Sequence, residues 1–212
     1  MSHTALILFL TTSLALILVP GPDMIYVITR GVAQGRKAGL FSAAGVCSGI
    51  CVHTTFAALG LSAILARSAV AFSIVKYAGA AYLIYLGAKA LSSRKILVAF
   101  EENTENVPHT ASRTLYRQGV ISNVLNPKVA LFFLAFLPQF VSRSGESVWL
   151  QMLLLGLTFA LMTLAVLSGV ALSSGTIGQW LRRKPGVARA VSRITGSILV
   201  VLGLRLALPE QR

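Results

Sequence analysis

The sequence predicts an all-α, polytopic membrane protein. Six transmembrane helices form two inverted three-helix repeats, and helices 1 and 4 are broken by proline. Three observations carry this expectation. Apolar residues make up 55% of the 212-residue chain and charged residues 12%, about half the charged share of an ordinary soluble domain. Six apolar runs each reach the roughly 20 residues that a helix needs to cross a bilayer. The basic residues gather in alternate loops, as they do when loops alternate between two sides of a membrane.

The runs fall at roughly 4–29, 38–64, 69–91, 118–141, 147–173 and 188–208. With a mean hydropathy of +0.77, they leave no room for a soluble domain. A single transmembrane domain over 1–212 is expected: repeat 1 at about 4–91, a polar loop at about 92–117 and repeat 2 at about 118–208. The loop carries Glu101, Glu102, Glu105, His109, Arg113 and Arg117.

Span one contains Leu18-Val19-Pro20-Gly21-Pro22-Asp23-Met24, with the only aspartate in the chain. No Lys or Arg precedes the run, which sets it apart from a cleaved signal peptide with a basic start. Proline lacks the amide proton and clashes with the preceding turn, so the break frees backbone carbonyls. In lipid these must find protein or water. With Arg30 at the inner edge, Asp23 lies seven residues deeper, about 10 Å at the helical rise.

Span two carries both cysteines, Cys47 and Cys51. Four-residue spacing puts them on one helical face. With Gly45 at zero they fall at about 200° and 240°, and His53 falls at about 80°. Three ligands from this helix therefore do not converge on one metal, and no metal site is expected. A thiol-relay or metal-carrier role competes with the plainer reading of two small buried hydrophobes. The opposite face aligns Ser42, Gly45, Gly49 and His53. Small residues at this spacing let membrane helices approach closely. The stripe thus reads as a packing seam, with His53 directed into protein as an ionisable residue inside a span.

Span three holds Lys76 near its outer end, where a snorkelling anchor is the expected role. Its Gly79 and Gly87 extend the set of packing glycines. Tyr77, Tyr82, Tyr85, Trp149 and Trp180 suit the membrane interfaces.

Span four repeats the pattern of span one. Asn123-Val124-Leu125-Asn126-Pro127-Lys128 is followed by Ala130 to Phe140, with Pro138 and Gln139 near the end. Lys128 lies about 16 Å beyond Arg117 at the helical rise, a depth at which it can meet Asp23. An unpaired charge there costs several kcal/mol. Either the two charges pair, or each neutralises, or both exchange partners with a ligand. Asp23 has helix capping as its rival role, and Lys128 has snorkelling. Proline-broken helices at matching positions of two halves point to a central site.

The net charge of +13 does not indicate nucleic acid. Thirteen of the nineteen basic residues lie in the first, third and fifth connections: Arg30, Arg36 and Lys37; Lys89, Arg94, Lys95, Arg113 and Arg117; Arg182, Arg183, Lys184, Arg189 and Arg193. Arg67, Lys76, Arg143, Arg205 and Arg212 belong to the even loops and termini. Basic loops stay in the cytoplasm, so both termini are expected outside. The bilayer, including anionic lipid, is the partner this charge implies. No metalloprotease helix, nucleophile elbow, phosphate loop or dinucleotide fingerprint occurs, so neither enzyme chemistry nor a cofactor is expected. Glycine seams serve contacts within a chain and between copies alike, and a homo-oligomer is compatible with them.

Pro20-Gly21-Pro22-Asp23, Gln34-Gly35-Arg36-Lys37-Ala38-Gly39, Lys76 to Gly87, and Asn126-Pro127-Lys128 with Phe132-Phe133 and Leu137-Pro138-Gln139-Phe140 together resemble the lysine-exporter (LysE) superfamily. The likeness is greatest to its RhtB branch of homoserine and threonine efflux proteins. It runs from about 5 to 208. The resemblance implies a secondary exporter in the bacterial inner membrane that moves amino acids or derivatives against protons. The family's signature carries over to Pro20, Gly21, Pro22, Asp23, Asn126, Pro127 and Lys128, the expected substrate and proton site. His53, as an ionisable residue inside a span, and Gln139 are lesser candidates. The superfamily also contains metal and thiol-related transporters, and Cys47 and Cys51 keep that alternative open.

Overall fold

Long apolar stretches in this chain can satisfy their backbone only as helices, and the computed structural model is helical throughout its described residues. These are 3–61, 69–92, 110–141, 147–174 and 185–208. Arg67, Arg94, Lys95, the acidic loop residues, His109, Arg143, Trp180, Arg182, Arg183, Lys184 and Arg212 lie outside them, as do the side chains of Lys76, Arg189 and Arg205.

The helices are α1 (His3–Leu18), α2 (Pro22–Gln34), α3 (Arg36–Phe56), α4 (Ala69–Ser92), α5 (Ser112–Val124), α6 (Pro127–Leu131), α7 (Val148–Leu172) and α8 (Pro185–Ala207). A π-helical turn, Ala57–Leu61, extends α3. A second, Phe132–Phe136, follows α6 and passes into a 3-10 turn, Leu137–Phe140. Thus the helix before the second break begins at Ser112, and Arg113 and Arg117 stand on helical turns rather than in a loop.

Arg36–Gly60 and Val148–Leu172 are each long and apolar enough to cross a membrane, with mean hydropathies of 1.4 and 2.2. Two bent pairs also qualify: Ala5–Leu18 with Pro22–Gln34, bent by 52°, and Ser112–Val124 with Pro127–Phe140, bent by 47°. Helices α4 and α8, of 24 and 23 residues, have the length of a span. The chain is a multi-pass membrane protein.

The two bends have local causes. The helical ladder of α1 stops at Val19 N to Ala15 O, 3.2 Å, because Pro20 has no amide to continue it. Gly21 is extended (φ −142°, ψ −177°), and Pro22 opens α2, where its fixed φ suits a first helical position. At the second bend Asn126 is extended (φ −77°, ψ 106°), as a residue before proline must be. Its side-chain Oδ1 caps α6 by accepting from Lys128 N at 3.0 Å.

Close crossings join the pieces. On α3, a side chain at Gly45 would run into the Tyr116 carbonyl of α5, and one at Gly49 would meet the Asn123 side chain at 2.7 Å. Gly87 of α4 faces the backbone of α8 at Gly196, and Gly79 faces Ala135. All four glycines read as packing positions therefore sit at interhelical contacts. The largest core cluster joins α1, α3, α7 and the segment after α6, with Phe9, Phe132, Phe133, Phe136, Phe140 and Phe159 at its centre.

Candidate functional site

Each proline break leaves a carbonyl without its helical donor. Pro20 removes the i+4 donor of the Leu16 carbonyl, which keeps a bond from Val19 N at 3.3 Å, and Pro127 removes that of Asn123, which keeps a bond from Asn126 N at 2.9 Å. Both also meet basic side chains from other spans. Lys128 Nζ donates to Leu16 O at 3.1 Å and to Val19 O at 3.0 Å. His53 Nε2 meets Asn123 O at 3.1 Å. Gly21 lets the ammonium in: a methyl group there would stand 3.1 Å from Nζ.

Asp23 lies in the first turn of α2, where the helix dipole favours an anion. Its Oδ1 accepts from Ser122 Oγ at 3.2 Å, and its Oδ2 accepts from the side-chain amides of Asn123 and Asn126, both at 2.8 Å. Asn126 serves both breaks at once: its Nδ2 holds Asp23, and its Oδ1 caps the helix that carries Lys128. Such hydrogen bonds to a charged acceptor are stronger than neutral ones.

Asp23 and Lys128 take separate partners, yet they line one cavity of about 30 Å³, room for about two water molecules. Its remaining wall is mostly apolar, with Ile50 from α3 and Phe159 and Leu167 from α7; Thr163 adds one hydroxyl, which donates to the carbonyl of Phe159 at 2.8 Å. Polar and aromatic contacts flank the cavity. Toward Arg30, the Tyr26 hydroxyl donates to Leu115 O at 2.7 Å, and Arg30 reaches Gln118 at 3.1 Å and Thr110 at 3.2 Å. Toward the other side lies the phenylalanine cluster, including Phe132 stacked on Phe159 with centroids 4.8 Å apart.

Among the sequence candidates, Pro20, Gly21, Pro22, Asp23, Asn126, Pro127 and Lys128 come together. His53 abuts the site through Asn123 and is not among the residues lining the cavity. Gln139 does not join it: its amide donates to Ala135 O of its own segment at 3.1 Å. The cysteines differ in surroundings, since Cys47 is buried and Cys51 exposed. No group of three metal-ligating side chains occurs among the described residues. Ser122, Asn123 and Thr163 join the site without having been singled out from sequence. The signal for Asn123 was a polar amide one turn before Asn126 in an otherwise apolar run.

The profile of the LysE type translocator family matches residues 14–210. The chain belongs to the LysE type translocator family. Like other LysE translocators it is a transporter and not an enzyme. It is 32% identical over 200 residues to the homoserine/homoserine lactone efflux protein of Salmonella typhimurium, covering 94% of each chain. It is 29% identical over 209 residues to the uncharacterized membrane protein YrhP of Bacillus subtilis, covering 96% of this chain and 99% of that one. An uncharacterized membrane protein of Vibrio cholerae is 30% identical over 199 residues, with 94% of each covered. No solved structure matches the LysE translocator.

Proposed function

We propose that the protein is a secondary exporter of small amino acids or derivatives with uncharged side chains, the homoserine, threonine and neutral amino-acid class. It works by proton antiport across the bacterial inner membrane, with both termini on the outer side. The observation that carries this reading is the separation of Asp23 from Lys128 across one cavity at two helix breaks. A zwitterion can replace the partners of both. Its carboxylate is a better acceptor for Lys128 than a neutral carbonyl, because the bond is then charge-assisted on both sides. Drawing Lys128 away exposes the Leu16 and Val19 carbonyls, which with Asp23 suit an ammonium group.

The proton role follows from scarcity. Asp23 is the only acid within the apolar runs; the five glutamates lie at 101, 102, 105, 146 and 210. A carrier that exchanges protons for a zwitterion needs a group in its cavity that is charged in one half of the cycle and neutral in the other, and Asp23 meets that need. The cavity of about 30 Å³ is too small for an amino acid, so substrate enters when the helices around it move apart. A two-repeat architecture of six spans supplies the motion by rocking one repeat against the other. It is supported by the matched bends of 52° and 47° and by matched packing of α3 on α7 and of α4 on α8.

The efflux of homoserine and its lactone by the Salmonella relative supports this substrate class. The test is counterflow in liposomes with an imposed pH gradient, using labelled homoserine, threonine, other neutral amino acids and lysine. A few neutral substrates should move with the gradient and lysine should not. Folded protein that moves none of them overturns the reading.

A further inference from the structure

His53 lies on α3, one turn beyond Gly49 on the face that meets α5. Its Nε2 is 3.1 Å from the carbonyl of Asn123, which Pro127 deprives of its i+4 donor and which also accepts from Asn126 N at 2.9 Å. A carbonyl only accepts, so Nε2 carries a proton. The ring also leans on Phe133, with centroids 5.9 Å apart and planes tilted by 30°. Asn123 is fully buried, and its side-chain amide donates to Asp23 Oδ2 at 2.8 Å. One residue therefore receives His53 on its main chain and holds the sole aspartate with its side chain. Gly49 contributes by letting Asn123 approach, with no room for a side chain between them.

We propose that His53 is a positioning residue of the export site. It donates a second N–H to the Asn123 carbonyl, beside that of Asn126, ties α3 to the break between α5 and α6, and so fixes the amide that holds Asp23. This rests on the exporter reading for its consequence in transport, but the positioning itself does not.

The role requires a donor and not a ring or a charge. Two variants separate these. His53→Phe keeps the ring against Phe133 and loses the N–H. His53→Gln keeps an N–H and loses the ring. Because Asp23 is the only aspartate in the chain, protein made by cell-free synthesis with carboxyl-labelled carbon-13 aspartate reports a single side-chain resonance. That resonance should move in His53→Phe and stay near its wild-type position in His53→Gln. Counterflow should follow it. The Phe variant should lose roughly fivefold in maximal rate, the scale of one lost hydrogen bond to a carbonyl that keeps its Asn126 donor, and the Gln variant should stay within about twofold, since its donor remains.

The opposite pattern, a silent Phe variant with a damaged Gln variant, assigns His53 to packing and overturns the proposal. If the Phe variant does not fold, a displaced Asp23 resonance in folded His53→Gln overturns it equally. Wild-type protein that moves no amino acid, with the resonance pattern as expected, removes the exporter reading and leaves the positioning role standing.

Discussion

Lys128 Nζ stands 3.1 Å from the carbonyl of Leu16, the group that Pro20 deprives of its helical partner. The fourth span thus repairs the break in the first, and it does so with the same ammonium that faces the cavity. Repair and recognition compete for one group. That competition gives a carboxylate ligand a way to change the structure: taking Lys128 unties α1 from α6.

Replacing Lys128 by Met keeps the length of the side chain and removes the donor. The carbonyl of Val19 then loses its side-chain partner, at about 1–3 kcal/mol for an unmet buried group, and that of Leu16 is left with the 3.3 Å bond from Val19 N. Both the tie between the breaks and the carboxylate anchor disappear. Counterflow should fall by at least about 100-fold, the rate equivalent of roughly 2.7 kcal/mol. Wild-type flux in Lys128→Met would remove Lys128 from the site.

Gly21→Ala tests the space beside that ammonium. Gly21 is extended, a conformation open to any residue, so the backbone itself tolerates alanine. The new methyl group stands 3.1 Å from Nζ and displaces the flexible end of Lys128. The expected result is a severalfold lower transport rate with normal amounts of folded protein, read by counterflow beside size-exclusion yield. An unchanged rate would mean that Nζ moves aside at no consequence for substrate.

The breaks, the approach of Asp23 and Lys128 to one place, and the small-residue face of α3 were legible in the sequence because each depends on local rules. Proline acts on its own turn, the rise per residue sets how far Asp23 and Lys128 lie along their spans, and the helical period aligns Ser42, Gly45, Gly49 and His53. Partner choice was not legible. Whether Asp23 meets Lys128 or the Ser122, Asn123 and Asn126 group depends on the register of α2 against α5, and the crossing at Gly45 and Gly119 sets the place of α5. Gln139 shows the same limit. It follows Pro138 in a 3-10 turn, and its amide folds back on its own Ala135 carbonyl.

Two glycines on α3 should differ in how they fail. At Gly45 the obstacle is the Tyr116 backbone, which has nowhere to go, so Gly45→Ala should lower the yield of folded protein. At Gly49 the obstacle is the Asn123 side chain, whose amide holds Asp23. Gly49→Ala should therefore cut transport more than yield. Thermal stability in detergent, measured beside counterflow, separates the two. Equal effects on both quantities at both positions would reduce the stripe to packing alone.

Asp23→Asn should fold. An asparagine there can turn its oxygen toward the Asn123 and Asn126 amides and its NH2 toward Ser122 Oγ, because a hydroxyl accepts as well as donates. All three contacts of the native carboxylate, at 2.8, 2.8 and 3.2 Å, then have a counterpart. What is lost is the negative charge and the ability to take up and release a proton. Export driven by a pH gradient should be abolished in the variant, while its yield and thermal stability stay close to wild type. If gradient-driven export survives in folded Asp23→Asn, the coupling proton travels elsewhere, and Asp23 is left with helix capping and the bridging of α2 to α5.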